Sequence, residues 1–394
     1  MHRLHSLAHL TLLFGCLALA SGCSGQDTAS SNGQGACDPG QTRHPITGAC
    51  TPVAQEHDAG ADLKQAPDMR APQDMAAPPD MSAPDLVVTQ DMGQDQGAAQ
   101  DMGAAQDMGA PQVVRRFVAI GDTGTGSDEQ IKVGQSIGAA CQTLGGCDFG
   151  LLLGDNVYDS GVSNDNDPLF HSYFTIPYGH LPFTWFAVLG NHDLGGSGVG
   201  LDLDWNKGDY QVDYSMRNPK WVMPAKFYQV LDGPVWLVGL NTTDVFFDRA
   251  ADQKRTVLEW RAAAPEWPWK IAFGHHPYIS NGKHGNAGEY DGVPFIPIAN
   301  GEHVKSFMES TICGKFDLYL CGHDHNIQDL QKVCGTEFVI SGAGAKTTEL
   351  KGDNPVHYES DSLGFVIVEA TYERLTLRFY DEDAHLKHQR EIRR

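Results

Sequence analysis

Seven side chains able to ligate a metal recur along the chain, each just after an apolar run: Asp122 in VAIGDTG, Asp155 and Tyr158 in LLLGDNVY, Asn191 in AVLGNHD, His275 in IAFGHHP, and His323 and His325 in LYLCGHDH. Carboxylate, amide, phenol and imidazole donors suit hard or borderline metal ions, and no cysteine has to serve. With seven donors and one carboxylate able to bridge, two ions can sit close together, the arrangement that clamps the attacking and leaving oxygens of an in-line displacement. Taken singly the motifs say little. GHHP also suits a turn with a satisfied core histidine, Tyr158 a core aromatic, and GDTGTG lacks the GxGxxG spacing of a dinucleotide loop. Their joint occurrence, in order and each after a strand-like run, is what points to chemistry.

The elements that must position these residues share one grammar, a short apolar strand running into a glycine-containing turn. Helical patterns at 127–141, 249–263 and 302–310 fall between the strands, which predicts an alternating α/β fold. Hairpin-like strands at 226–231 and 234–240, and again over 365–380, add antiparallel material. In open α/β sheets ligands gather at the carboxyl ends of strands, so five motifs spread over roughly two hundred residues are expected to converge.

The order GDTG, GDNVY, GNHD, GHHP, GHDH resembles the purple acid phosphatases, a branch of the calcineurin-like metallophosphoesterases, and most of all their small, tartrate-resistant animal-type members. The likeness extends to YLCGHDHNIQDLQ, ISGAG and ESDSLGF, and so over nearly all of 113–394. It implies a four-layer αββα sandwich of two mixed β-sheets flanked by helices. Carried over by position, Asp122, Tyr158 and His325 would hold Fe(III), Asp155 would bridge, and Asn191, His275 and His323 would hold a divalent ion, Fe, Zn or Mn. Tyr158 discriminates, because most other metallophosphoesterases carry DxH and GDxxDR, whereas Gly124 stands two residues after Asp122 and Tyr158 three after Asp155. A phenolate on ferric iron would make the protein purple. His192 and His284 match the two histidines that flank the substrate in that family. The resemblance thus implies acid hydrolysis of small phosphate monoesters by a metal-bound hydroxide, His192 orienting phosphoryl oxygens and His284 protonating the leaving alkoxide. Thr123 stands where the small enzymes usually carry an aromatic residue, and 244–255 is short where they have a longer loop. Both departures bear on substrate range and regulation, not on the metal core. A phosphodiesterase or nucleotide hydrolase on the same core, an inactive surface-anchored binding protein, and a chain whose tether is the functional part are the alternatives.

The rest of the chain sets the location. Residues 1–22 read as a lipoprotein-type signal, with Arg3, an apolar run to Ala20, and small residues before Cys23, where a lipid would attach; an ordinary secretory signal with a chance cysteine is the other reading. The run is too short to span a bilayer. A Gram-negative outer-membrane or cell-surface lipoprotein is expected, otherwise a periplasmic or secreted protein, with a monomer favoured. A small cysteine-containing segment, 23–50, precedes a tract at 51–112 of repeated APDM, PQDM and AQDM units, without aromatics and expected to be a disordered tether. The catalytic domain is expected over 113–394. Between 26 and 112 there are 13 acidic residues against 3 basic ones, nearly half the excess behind the net charge of −22. That charge argues against a nucleic-acid partner. In an oxidising compartment Cys37 with Cys50, Cys141 with Cys147 and Cys313 with Cys334 are plausible pairs, and Cys321, after FDLYL, suits a buried free thiol. His171, His180, His276, His303, His357, His385 and His388 have no implied role.

Overall fold

Runs such as FVAI and LYLC have no polar face to offer water, so they are stable only as strands covered on both sides. A computed structural model describes residues 41–43, 50–52, 114–195, 203–263, 267–289 and 300–394. The signal-like segment, Cys23, Cys37 and nearly all of the repeat tract lie outside the described residues. The chain divides into units 1–99 and 100–394. In the first, the described residues are an antiparallel pair, β1 (Gln41–Arg43) with β2 (Cys50–Pro52).

The second unit runs β3 (Arg115–Ile120), α1 (Asp128–Thr143), β4 (Phe149–Leu152), α2 (Ile176–Tyr178), β5 (Thr184–Ala187), α3 (Asn206–Tyr214), β6 (Trp221–Val222), β7 (Tyr228–Asp232), β8 (Val235–Gly239), α4 (Thr242–Phe246), α5 (Ala251–Ala263), β9 (Trp269–Phe273), α6 (Gly301–Thr311), β10 (Leu318–Cys321), β11 (Ile327–Val333), β12 (Thr336–Ser341), β13 (Val356–Ser360), β14 (Gly364–Ala370), β15 (Arg374–Asp381) and β16 (Leu386–Arg393). Two mixed seven-stranded sheets result, ordered β16-β15-β14-β3-β4-β5-β6 and β13-β11-β12-β10-β9-β8-β7. In the first, β3, β4, β5 and β6 are parallel neighbours. In the second, β8, β9, β10 and β12 are.

Side-chain alternation along a strand sends successive residues to opposite faces, and β10 shows where each face goes. Leu318 and Leu320 join the core shared with Phe117, Ile120 and Leu151 of the other sheet. Tyr319 and Cys321 instead join Val257 of α5 and Val304, Phe307 and Met308 of α6 on the outer face. On the other sheet, Val133, Ile137 and Ala140 of α1 are buried in the shared core. The layers are therefore helix, sheet, sheet and helix, as the family resemblance implies.

Local signals explain the helices. Ser127 caps α1 by accepting from the Gln130 amide, Asp128 and Glu129 sit favourably in its first turn, and Gly145 and Gly146, at φ 84° and 113°, follow its end. Disulfides Cys141–Cys147 and Cys313–Cys334 form as the spacing suggests, and Cys321 is a buried thiol. No described helix is long and apolar enough to cross a membrane. The sheets are tied where the interior strands β3 and β12 end. The Gly121 amide, just after β3, donates to the Ser341 carbonyl at the end of β12 (2.7 Å), and Ser341 Oγ donates to the Ala119 carbonyl (2.8 Å). That seam carries the strand ends with the chemistry.

Candidate metal centre

The first sheet delivers Asp122 after β3, Asp155 and Tyr158 after β4, and Asn191 after β5; the second delivers His275 after β9 and His323 and His325 after β10. Turning each strand sharply inward is strained. Asp122, Asp155 and His323 all adopt the left-handed region, at φ 57°, 52° and 72°, which costs a non-glycine residue of order 1 kcal/mol or more and persists where surrounding structure enforces it. Close approach of the turns explains two glycines. A Cβ at Gly190 would overlap the Asp155 carboxylate, and one at Gly322 would overlap that of Asp122.

The seven donors form two groups around Asp155. In one, Tyr158 Oη donates to Asp122 Oδ1 (3.0 Å) and lies 3.1 Å from His325 Nε2, which is 3.5 Å from the same Asp122 oxygen. In the other, His275 Nε2 lies 2.9 Å from Asn191 Oδ1 and 3.1 Å from His323 Nδ1. Asp155 Oδ2 stands 3.4 Å from His275 Nε2. Asp122, Asp155 and His275 are all buried and can each offer a ligand atom within 4.8 Å of the others.

His275 Nδ1 lies 3.0 Å from the Leu153 carbonyl, an acceptor only, so the imidazole proton resides there and Nε2 presents a lone pair. That lone pair faces the Asn191 amide oxygen and the Asp155 carboxylate, both acceptors, and His323 Nδ1, which donates or accepts according to its tautomer. A buried convergence of lone pairs is unfavourable until a cation enters, so the residues fit a metal ion.

The electrostatics agree. Burial alone would raise Asp122, yet the hydrogen bond with His325, the His325 charge and the bond from the His323 amide hold it below the usual carboxylate range. Burial and four neighbouring imidazoles push His323 well below the ordinary histidine value, leaving it a neutral imidazole. Burial, then the charges of Asp122 and Asp155, push the Tyr158 phenol well above its ordinary value, so only a strong cation would make it a phenolate.

His192 and His284, the other two histidines singled out by sequence, stand beside these groups. The His192 amide donates to Asp155 Oδ1 (2.9 Å), its Nδ1 donates to the Asp159 carbonyl (2.8 Å), and its ring centroid lies 4.6 Å from that of Tyr158. The His284 ring lies 4.2 Å from His323. The structure thus brings all nine residues together.

Four residues behind the donors were missed by the sequence reading. The buried Asp193 carboxylate accepts from the amides of Gly190, Asn156 and Val157, and Asp324 accepts from the His284 amide and Ser280 Oγ. Thr242 Oγ1 accepts from the His275 and His276 amides. His276, stacked on Phe246 and kept neutral by burial, lies 4.6 Å ring to ring from His323. The available signal was adjacency, since three of the four fall inside GNHD, GHHP and GHDH.

Comparison with known proteins matches the calcineurin-like phosphoesterase family over residues 115–326. Purple acid phosphatase 3 of Arabidopsis thaliana is 29% identical, covering 69% of this chain and 76% of the relative. Tartrate-resistant acid phosphatase type 5 of Homo sapiens is 30% identical, covering 68% and 87%. Among solved structures, purple acid phosphatase PPD1 from yellow lupin seeds superposes with a TM-score of 0.51 at 19% identity, over 72% of this chain and 54% of that one. GAP50, the anchor in the inner membrane complex of Plasmodium, superposes with a TM-score of 0.56 at 17% identity, over 71% of this chain and 89% of that one. At such identities these two likenesses speak to the fold alone.

Proposed function

The chain belongs to the calcineurin-like phosphoesterases, within them to the purple acid phosphatases, and is a phosphoester hydrolase; from that premise we propose an acid phosphatase that cleaves small phosphate monoesters at a pair of metal ions, one Fe(III) and one divalent (Fe, Zn or Mn). The observation that carries this reading is the Tyr158 hydroxyl against Asp122 and His325, since a phenolate favours ferric iron. Asp122, Tyr158 and His325 would hold the ferric ion, Asn191, His275 and His323 the divalent one, and Asp155 would bridge them.

When bound, such ions acidify water and neutralise charge on phosphoryl oxygens. The protein supplies the rest. His192, oriented by its bond to the Asp159 carbonyl, holds the phosphoryl oxygens, and His284, when protonated, gives its proton to the leaving alkoxide. Products are inorganic phosphate and an alcohol. Export and anchoring through lipid on Cys23 belong to the same proposal, supported by the signal-like residues before it; loss of membrane attachment in Cys23→Ala is the check.

The test is hydrolysis of 4-nitrophenyl phosphate and of its bis ester at acidic pH by the metal-replete protein. At least about tenfold higher kcat/KM on the monoester is expected, a preference of 1.4 kcal/mol or more in transition-state binding. Comparable rates would favour the diesterase reading. No hydrolysis of either ester would count against both.

A further inference from the structure

Lys346 lies in the stretch after β12, with its Nζ 3.2 Å from the centroid of the Tyr158 ring. Its place is set from both sides. The Gly344 amide donates to the Gly121 carbonyl beside Asp122 (3.3 Å), and the Thr348 amide donates to the His325 carbonyl (2.8 Å). Ala343 and Ala345 before it are buried, while Lys346 itself is partly exposed. Its ammonium is thus held at the solvent-facing rim formed by the three partly exposed residues His192, His325 and Lys346, whereas Asp122, Asp155, Asn191, His275 and His323 are buried. Among the described residues no carboxylate lies in ion-pair range of that ammonium.

A positive charge beside His325 and next to a proposed metal pair is stabilised further when an anion joins it. The ring face takes the ammonium protons that point down at it, so those on the outward side stay available.

We propose that Lys346 is a substrate-binding residue whose ammonium hydrogen-bonds the non-bridging phosphoryl oxygens and favours dianionic monoesters over monoanionic diesters. This rests on the phosphatase reading above. The preference follows from charge, because a point charge attracts a dianion about twice as strongly as a monoanion at the same distance. If removing the charge weakens a dianion about tenfold, the same change should weaken a monoanion only about threefold, the square root.

The test uses the full, metal-replete chain with Lys346→Gln, Lys346→Met and Lys346→Arg. Inorganic phosphate binding is measured by calorimetry, and kcat and KM on a monoester and a diester. Expected in the Gln and Met variants, whose stems still cover Tyr158, are an about tenfold higher phosphate Kd and monoester KM, an about threefold higher diester KM, and a kcat within about twofold. Arg should stay near wild type. Unchanged phosphate affinity and monoester KM in both neutral variants would overturn the proposal, as would equal losses on the two esters or no rescue by Arg. Wild-type protein that binds inorganic phosphate but hydrolyses no monoester would instead count against the phosphatase reading, and the binding comparison would still judge Lys346.

Discussion

Replacing Asp193 by alanine tests whether the turns that carry the donors are held by a buried carboxylate. Asp193 is fully buried, and it accepts from the backbone amides of Gly190 (2.7 Å), Asn156 (3.1 Å) and Val157 (3.0 Å) and from Gln211 Nε2 (2.9 Å). Those three backbone amides have no other acceptor among the described residues. Each buried donor left unsatisfied costs about 1–3 kcal/mol, so three imply a loss of about 3–9 kcal/mol. Part of this is offset. Burial and the Asp155 charge push the Asp193 carboxyl up to about 6, so at pH 7 its charge is unfavourable and removing it gives some stability back. A net loss of about 4 kcal/mol is expected, a large share of the roughly 5–15 kcal/mol that holds a domain folded. Urea unfolding of chelator-stripped wild type and Asp193→Ala, compared by midpoint and slope at pH 7, measures it. A difference under about 1 kcal/mol would refute the reasoning that this carboxylate holds the turns.

Other outcomes follow from the same structure. The native metal-free state holds a proton on Asp193 that the unfolded chain releases between the ordinary 3.8 and about 6, so this group's contribution to stability is greatest at low pH and falls as pH rises through that window. Wild type should therefore gain on the non-titrating Asp193→Asn as pH drops from 7 to 4; a pH-independent difference between their unfolding free energies contradicts this. Arg390 on β16 pairs with the fully buried Asp329 on β11 (2.6 and 2.8 Å) and with Glu337 (3.0 Å), linking the two sheets at one edge. Arg390→Ala should cost about 3 kcal/mol in urea unfolding by leaving that buried carboxylate with only His388 Nε2 (3.2 Å) in place of the two-bonded guanidinium; a near-neutral result would remove the link as a stabilising feature. His192→Ala and His284→Ala should each lower kcat on a monoester by about a hundredfold or more at unchanged metal content, and wild-type kcat in either would strip that histidine of its role.

What sequence made legible was local. A strand ending in glycine and then a donor is a contiguous pattern, so all seven donors and the strands that deliver them could be read, and α1, α5 and α6 fell where the helical spacing put them. The edge strand β16 was not read. Its residues LKHQREIR are mostly polar and exposed, and it is held by pairing with β15 and by Arg390 reaching Asp329. Helix α3 was missed for want of a signal, having no side-chain cap and a glycine, Gly208, in its first turn. Asp193 lies inside a motif that was recognised, yet its role depends on amides from a turn 37 residues earlier meeting it in space. Lys346 is the extreme case, since nothing in AGAKTTEL shows that a tyrosine ring from another sheet lies beneath its ammonium.

The central claim is that the seven donors hold a mixed pair of metal ions, with Tyr158 as a ligand to ferric iron. Metal analysis combined with the visible spectrum, on wild type and Tyr158→Phe purified side by side, tests it most directly. Two metal ions per wild-type chain are expected, at least one of them iron, with a purple absorption band that is lost in Tyr158→Phe while the fold remains. A folded wild-type protein that is colourless and free of iron, or a Tyr158→Phe variant that keeps the band, would contradict it.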